Sequence, residues 1–217
     1  MNETGNFEVQ PEYKPLDFGE VLKRAFDFYK LNLGFLILVH LVAGLLAFVT
    51  AFILAGPLYA GVCIVLLALH DNRDPKPVVG DIFKGFDYFL PAFLLFIVIA
   101  AATMLASKVM APLFLVASMA IGTITMFSYF LIVERKMDFW PAIIESYNMV
   151  KGNFWIYLAL YAIGSVVAGL GLIVFIIGVV VTAPYLSCVQ VIAYRGTKPS
   201  VKDPAMASSM APSTGVA

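Results

Sequence analysis

The chain has 217 residues, of which 61% are hydrophobic and 13% charged, and its mean hydropathy is +0.92. A soluble domain is about 25% charged, so a water-soluble core is excluded. Fourteen Lys and Arg balance fourteen Asp and Glu, which leaves none of the basic excess that nucleic-acid binding requires.

In chain order, the first element is a polar N-terminal tail, residues 1–14. It lacks the basic, apolar and small-residue pattern of a cleaved signal, so the first apolar segment is expected to direct insertion. A span needs roughly 20 apolar residues, and shorter ones are tolerated. The sequence predicts spans at 33–55, 57–70, 90–107, 110–133, 154–178 and 180–194, the second and sixth short and each following a turn signal, Gly56-Pro57 or the Gly178 to Pro184 region. Of the cations only Lys108 falls in an outer connection, so the retention of Lys and Arg in the cytoplasm places both termini there. The expected location is the cell inner membrane, multi-pass. The C-terminal 198–217, rich in Pro, Ser, Ala and Met, reads as a flexible tail.

Within residues 15–197 the segments preceding odd-numbered spans resemble each other. Asp17 to Asn32 aligns on Asp138 to Asn153 without gaps, pairing Phe18 with Phe139, Phe26 with Tyr147, and Lys30 with Lys151. A weaker copy begins at Asp81, and Gly56-Pro57-Leu58-Tyr59, Ala111-Pro112-Leu113-Phe114 and Ala183-Pro184-Tyr185-Leu186 mark the returning spans. The expected fold is therefore an all-α polytopic bundle of about six transmembrane helices. It comprises three parallel repeats, about 15–78, 79–137 and 138–197, each opened by a cytoplasmic amphipathic interfacial helix. Phe18, Val21, Leu22, Ala25, Phe26 and Tyr29 recur at helical spacing on one face, and Phe139, Ala142, Ile143, Ser146, Tyr147 and Val150 repeat that register.

The predicted spans hold no Asp, Glu, Lys or Arg, which disfavours ion-coupled transport and most intramembrane catalysis. Ser118, Ser128, Ser165 and Ser187 have no base near them in sequence, and pairs such as Ala43 with Ala47 and Ser118 with Gly122 read as close-packing positions. His40 reads first as a histidine satisfied by a neighbouring helix and second as a ligand or proton group. Cys63 and Cys188 read as small hydrophobes, and no cofactor or metal is expected.

The entry Phe18 to Phe26, the turn Pro57 to Gly61 and the segments Trp140 to Ser146 and Val150 to Asn153 resemble a broad group of uncharacterised prokaryotic six-span proteins. That group is similar to the membrane domain attached to some glycerophosphodiester phosphodiesterases. The resemblance covers about residues 15–197 and implies an accessory or anchoring role; the hydrolase domain and its carboxylate cluster are not in this sequence.

Two functions are expected. The first is a non-catalytic accessory or scaffold protein that binds membrane lipid, a membrane-protein partner or a second copy through its cytoplasmic helices, with Lys23, Arg24, Lys30, Lys84 and Lys151 at the interface. The alternative is a permease or channel for a small neutral or lipophilic molecule, lined by His40, Thr125, Tyr129, Tyr161 and Gln190.

Overall fold

The computed structural model describes residues 12–14, 17–109, 111–171 and 175–200. Among the described residues the chain is helical apart from one short ladder and its connecting turns. In order it forms β1 (Glu12–Lys14), α1 (Phe18–Leu31), α2 (Leu33–Val49), α3 (Ala55–His70), a 3₁₀ segment (Val79–Tyr88), α4 (Phe89–Val109), α5 (Ala111–Thr125), α6 (Ser128–Arg135), α7 (Phe139–Lys151), α8 (Phe154–Leu170), α9 (Phe175–Gly196) and β2 (Lys198–Ser200). Strands β1 and β2 pair antiparallel, Tyr13 opposite Pro199, so the inner ends of both segments read as tails are tied together by backbone bonds.

Among the described residues two helical stretches, Val79–Lys108 and Leu113–Arg135, are long and apolar enough to cross a membrane, and up to four qualify if each of two bent pairs is one span. Only 11% of the most apolar window of Val79–Lys108 is buried within the protein. Such a surface is stable in hydrocarbon and unstable in water, so the chain is a membrane protein.

The two bends fall at asparagines. Asp17 opens α1 by accepting the N–H of Glu20 at 3.1 Å, and Asn32 closes it by donating its own N–H to Phe28 and Tyr29. The Asn32 carbonyl then accepts the N–H of Leu36 at 2.9 Å, starting α2 at 86° to α1. Asn153 plays the same part, donating to Val150 and accepting from Ile156 and Tyr157, where α7 and α8 meet at 107°. One residue with non-helical dihedrals thus keeps both neighbouring ladders satisfied, which apolar surroundings demand.

Element ends differ from the sequence expectation where side chains or backbone intervene. α2 stops at Val49 rather than near 55, because the Thr50 hydroxyl bonds back to Leu46 and Ala47 and the chain turns through positive φ at Ala51 and Phe52. The fourth predicted span is broken at Met126–Phe127 into α5 and α6. The sixth is longer than read: α9 runs through Gly178 and Pro184, and this helix begins at Phe175. Proline disrupts the ladder in the preceding turn, and there the Tyr29 hydroxyl donates to the Val181 carbonyl at 2.6 Å.

The core lies where α3, α6 and α9 meet. Val62, Val65, Leu66, Phe130, Leu131, Val189 and Val191 are all buried. Each is flanked by one helix that precedes an elbow or a span: α1 packs on α9, the 3₁₀ segment on α3, and α7 on α6. Glycine permits the closest of these approaches. A Cβ on Gly61 would stand 1.8 Å from the Ile82 carbonyl oxygen, and one on Gly85 2.1 Å from that of Pro57, so no side chain fits at either position.

Candidate functional site

Two polar groupings among the described residues each join several elements. The first joins α2, α3, α6 and α9. His40 bonds through Nδ1 to the Leu36 carbonyl at 2.9 Å and through Nε2 to Ser187 Oγ at 3.1 Å. A carbonyl can only accept, so Nδ1 carries the proton and Nε2 accepts from the Ser187 hydroxyl. Alongside, the Tyr59 hydroxyl donates to Gln190 Oε1 at 2.6 Å, and the Tyr59 ring meets Tyr129 edge-on with centroids 4.9 Å apart. Ser187 is thus beside a nitrogen base after all, a pairing across 147 residues that the sequence could not display.

His40, Tyr59 and Tyr129 also line a cavity of about 390 Å³ between α2, α3 and α4. Its remaining wall is apolar and small on the α2 side, from Ala43, Gly44 and Ala47. Of the five residues read as lining, His40 and Tyr129 stand on this cavity and Gln190 reaches it through Tyr59. Thr125 and Tyr161 lie elsewhere: Thr125 bonds to the Ile121 carbonyl of its own helix at 2.8 Å, and Tyr161 lies over Gly122 between α8 and α5. A Cβ on Gly122 would come within 2.2 Å of that ring, so the Ser118 with Gly122 pairing read as close packing is used at Gly122.

The second grouping ties the C-terminal ends of α3, α6 and α9. Arg195 forks onto Asp71, with Nε to Oδ1 at 3.0 Å and Nη2 to Oδ2 at 2.6 Å, and its Nη1 pairs with Glu134. Tyr194 donates to the other oxygen of Glu134 at 2.6 Å, and His70 stands 3.2 Å from Asp71. Partial burial pushes the Asp71 carboxyl up, but His70 and Arg195 outweigh it and hold the group below the usual carboxylate range. Burial would lower Arg195, and Glu134 with Asp71 reverses that, so the guanidinium stays charged. From the sequence alone His70 beside Asp71 reads as an interfacial residue, and its link to Glu134, Tyr194 and Arg195 is not visible. The available signal was that each returning span ends on ionisable residues, His70-Asp71, Glu134-Arg135 and Arg195.

Two grooves adjoin this knot. One, of about 600 Å³, runs between the α1–α2 elbow and the loop after α3, with Phe28, Phe35, His70, Arg73 and Lys76 in its wall. The other, of about 280 Å³, holds Arg73, Lys84, Asp87, Tyr88 and Glu134. Among the cations read as an interface, Arg24 pairs with Glu20 at 2.5 Å, Lys30 with Asp27 at 3.4 Å and Lys84 with Asp81 at 2.9 Å; Lys151 bonds to Asn148 at 2.8 Å. Lys23 is exposed and has no such pairing among the described residues. All five are exposed, and Lys84 lines one of these two grooves.

Among the described residues no group of three His, Cys, Asp or Glu is placed to hold a metal ion. No family model matches the chain, and neither a curated protein nor a solved structure does.

Proposed function

We propose that the chain is a non-catalytic accessory or scaffold protein of the cell inner membrane, made of six spans in three parallel repeats with both termini cytoplasmic. It binds lipid or a membrane-protein partner through the helices that precede the odd-numbered spans. The observation that carries this reading is the shared burial pattern of those helices. At matched positions Val21, Ile82 and Ala142 are buried, as are Ala25, Gly85 and Ser146, while Phe26 and Tyr147 are exposed beside Lys30 and Lys151. A helix facing only water has no use for exposed aromatics such as Phe26, Phe83, Trp140 and Tyr147; a helix in the headgroup zone does. The cyclic packing of α1 on α9, the 3₁₀ segment on α3 and α7 on α6 supports three equivalent units. The middle unit departs from the others, since the 3₁₀ segment continues into α4 without a sharp elbow. The anchoring role implied by the resemblance to the phosphodiesterase-linked membrane domain is part of this proposal.

Native mass spectrometry of the protein extracted from its own membrane tests it. A stoichiometric lipid or protein should be retained and should be lost from a variant carrying Phe26→Ser, Lys30→Glu, Tyr147→Ser and Lys151→Glu. Equal retention by the folded variant would sink the proposal. The alternative, passage of a small neutral or lipophilic molecule, draws support from the cavity at His40 and Tyr129, but Ser187 and Gln190 are engaged in hydrogen bonds behind it and Thr125 and Tyr161 do not extend it.

A further inference from the structure

The α2–α4 cavity carries an inference independent of the accessory reading. Tyr129 is 7% exposed, its ring is gripped edge-on by Tyr59, and its hydroxyl has no hydrogen-bond partner among the described residues. No fully occluded side-chain oxygen or nitrogen among those residues lacks a partner, so the Tyr129 hydroxyl keeps some accessible surface, and the cavity is the space that its residue lines. The other polar groups of the wall are committed: both His40 nitrogens are used, and Tyr59 donates to Gln190. One donor therefore faces an otherwise apolar space. A water molecule there would want two to four polar partners and finds about one, so water fits the site poorly.

The mouth shows where an occupant enters. α2 and α4 each pack on α3 but scarcely on each other, and the cavity lies between them, with the exposed Gly44 and Phe52 at its rim. The same two helices expose the apolar Leu41, Leu45 and Ile97, as a surface covered by hydrocarbon would. Among the described residues no Lys, Arg, Asp or Glu lines the cavity, which rules against a charged headgroup.

We propose that this cavity binds a bilayer-borne molecule with an apolar chain and a neutral carbonyl group, one carbonyl oxygen accepting the Tyr129 hydroxyl and the chain leaving between α2 and α4. Two sources share that chemistry, acyl esters and prenylated quinones.

The test uses the full chain in nanodiscs and three photoreactive probes of equal chain length: a diacylglycerol, a prenylquinone and a carbonyl-free alkane. Cross-links are mapped by mass spectrometry. A carbonyl probe should label the Gly44, Phe52 and Phe96 region, and Tyr129→Phe, which removes only the hydroxyl, should weaken its half-saturation about fivefold, the worth of one neutral hydrogen bond. Gly44→Phe, at a position where an added Cβ meets nothing within 4 Å, should block labelling by filling the mouth. Whichever carbonyl probe competes for the site identifies the source. Equal labelling by the alkane, unchanged affinity in Tyr129→Phe, or labelling outside the cavity by both carbonyl probes would each overturn the proposal.

Discussion

Ser146 is buried without exposure, and its hydroxyl serves the break between α5 and α6: it donates to the Ile124 carbonyl at 2.6 Å and accepts the Phe127 N–H at 3.2 Å. Replacing it by Ala removes one oxygen and leaves two backbone groups in an apolar core where water does not reach them. A buried polar group left unpaired costs about 1–3 kcal/mol. One of the pair can recover part of its bonding by local tightening of the helix, so Ser146→Ala should destabilise by roughly 2–4 kcal/mol. Thermal or denaturant unfolding in one detergent, followed by circular dichroism, measures this directly. Ser118→Ala is the control, since Ser118 bonds only to Leu115 of its own helix, at 2.9 Å, and is half-buried; it should change stability by no more than about 0.5 kcal/mol. If Ser146→Ala falls as close to the wild type as the control does, the break is satisfied by other means and the account of the α5–α6 junction is wrong.

Gly61→Ala should prevent correct assembly, because the new methyl would meet the Ile82 backbone rather than a movable side chain, whereas Gly34→Ala, with nothing within 4 Å, should be neutral; monodispersity after purification distinguishes them. Arg195→Gln should loosen the joined ends of α3, α6 and α9 by roughly 1–3 kcal/mol, since two partly buried carboxylates lose their shared cation, and proteolysis of the loop after His70 should accelerate. The pH dependence has a definite sign. Asp71 has a folded pKa below its unfolded value, so its contribution is present above the ordinary carboxylate range and is lost as pH falls through the depressed value. Unfolding midpoints should therefore drop on acidification below the ordinary carboxylate pKa, and Asp71→Asn should flatten that drop; an unchanged slope would contradict the assignment. In a Trp155→Phe variant, which leaves Trp140 as the single tryptophan, fluorescence should be quenched most by lipids brominated near the headgroup, and quenching strongest at mid-chain depth would refute the interfacial placement of α7.

Composition and periodicity determined the class of molecule by themselves. Long apolar runs must be helical in a bilayer, because only a helix satisfies its own backbone there, and this is a local property readable at each segment. The elbow at Asn32 and its match at Asn153 were legible for a related reason: polarity and charge change abruptly where an amphipathic helix meets an apolar one. Ser146 was legible as a residue of the inward face, at helical spacing from Ala142 and Val150, though the use of its hydroxyl was not.

What tertiary structure decided is pairing between distant segments. His40 with Ser187, Tyr59 with Gln190, and Asp71 with Glu134 through Arg195 are separated by sixty to nearly one hundred and fifty residues in the chain. Periodicity says which face of a helix is turned inward and is silent on what stands opposite. The cavity depends on that silence, since it is a gap between α2 and α4 left by their separate packing on α3, and no residue on either helix encodes it alone.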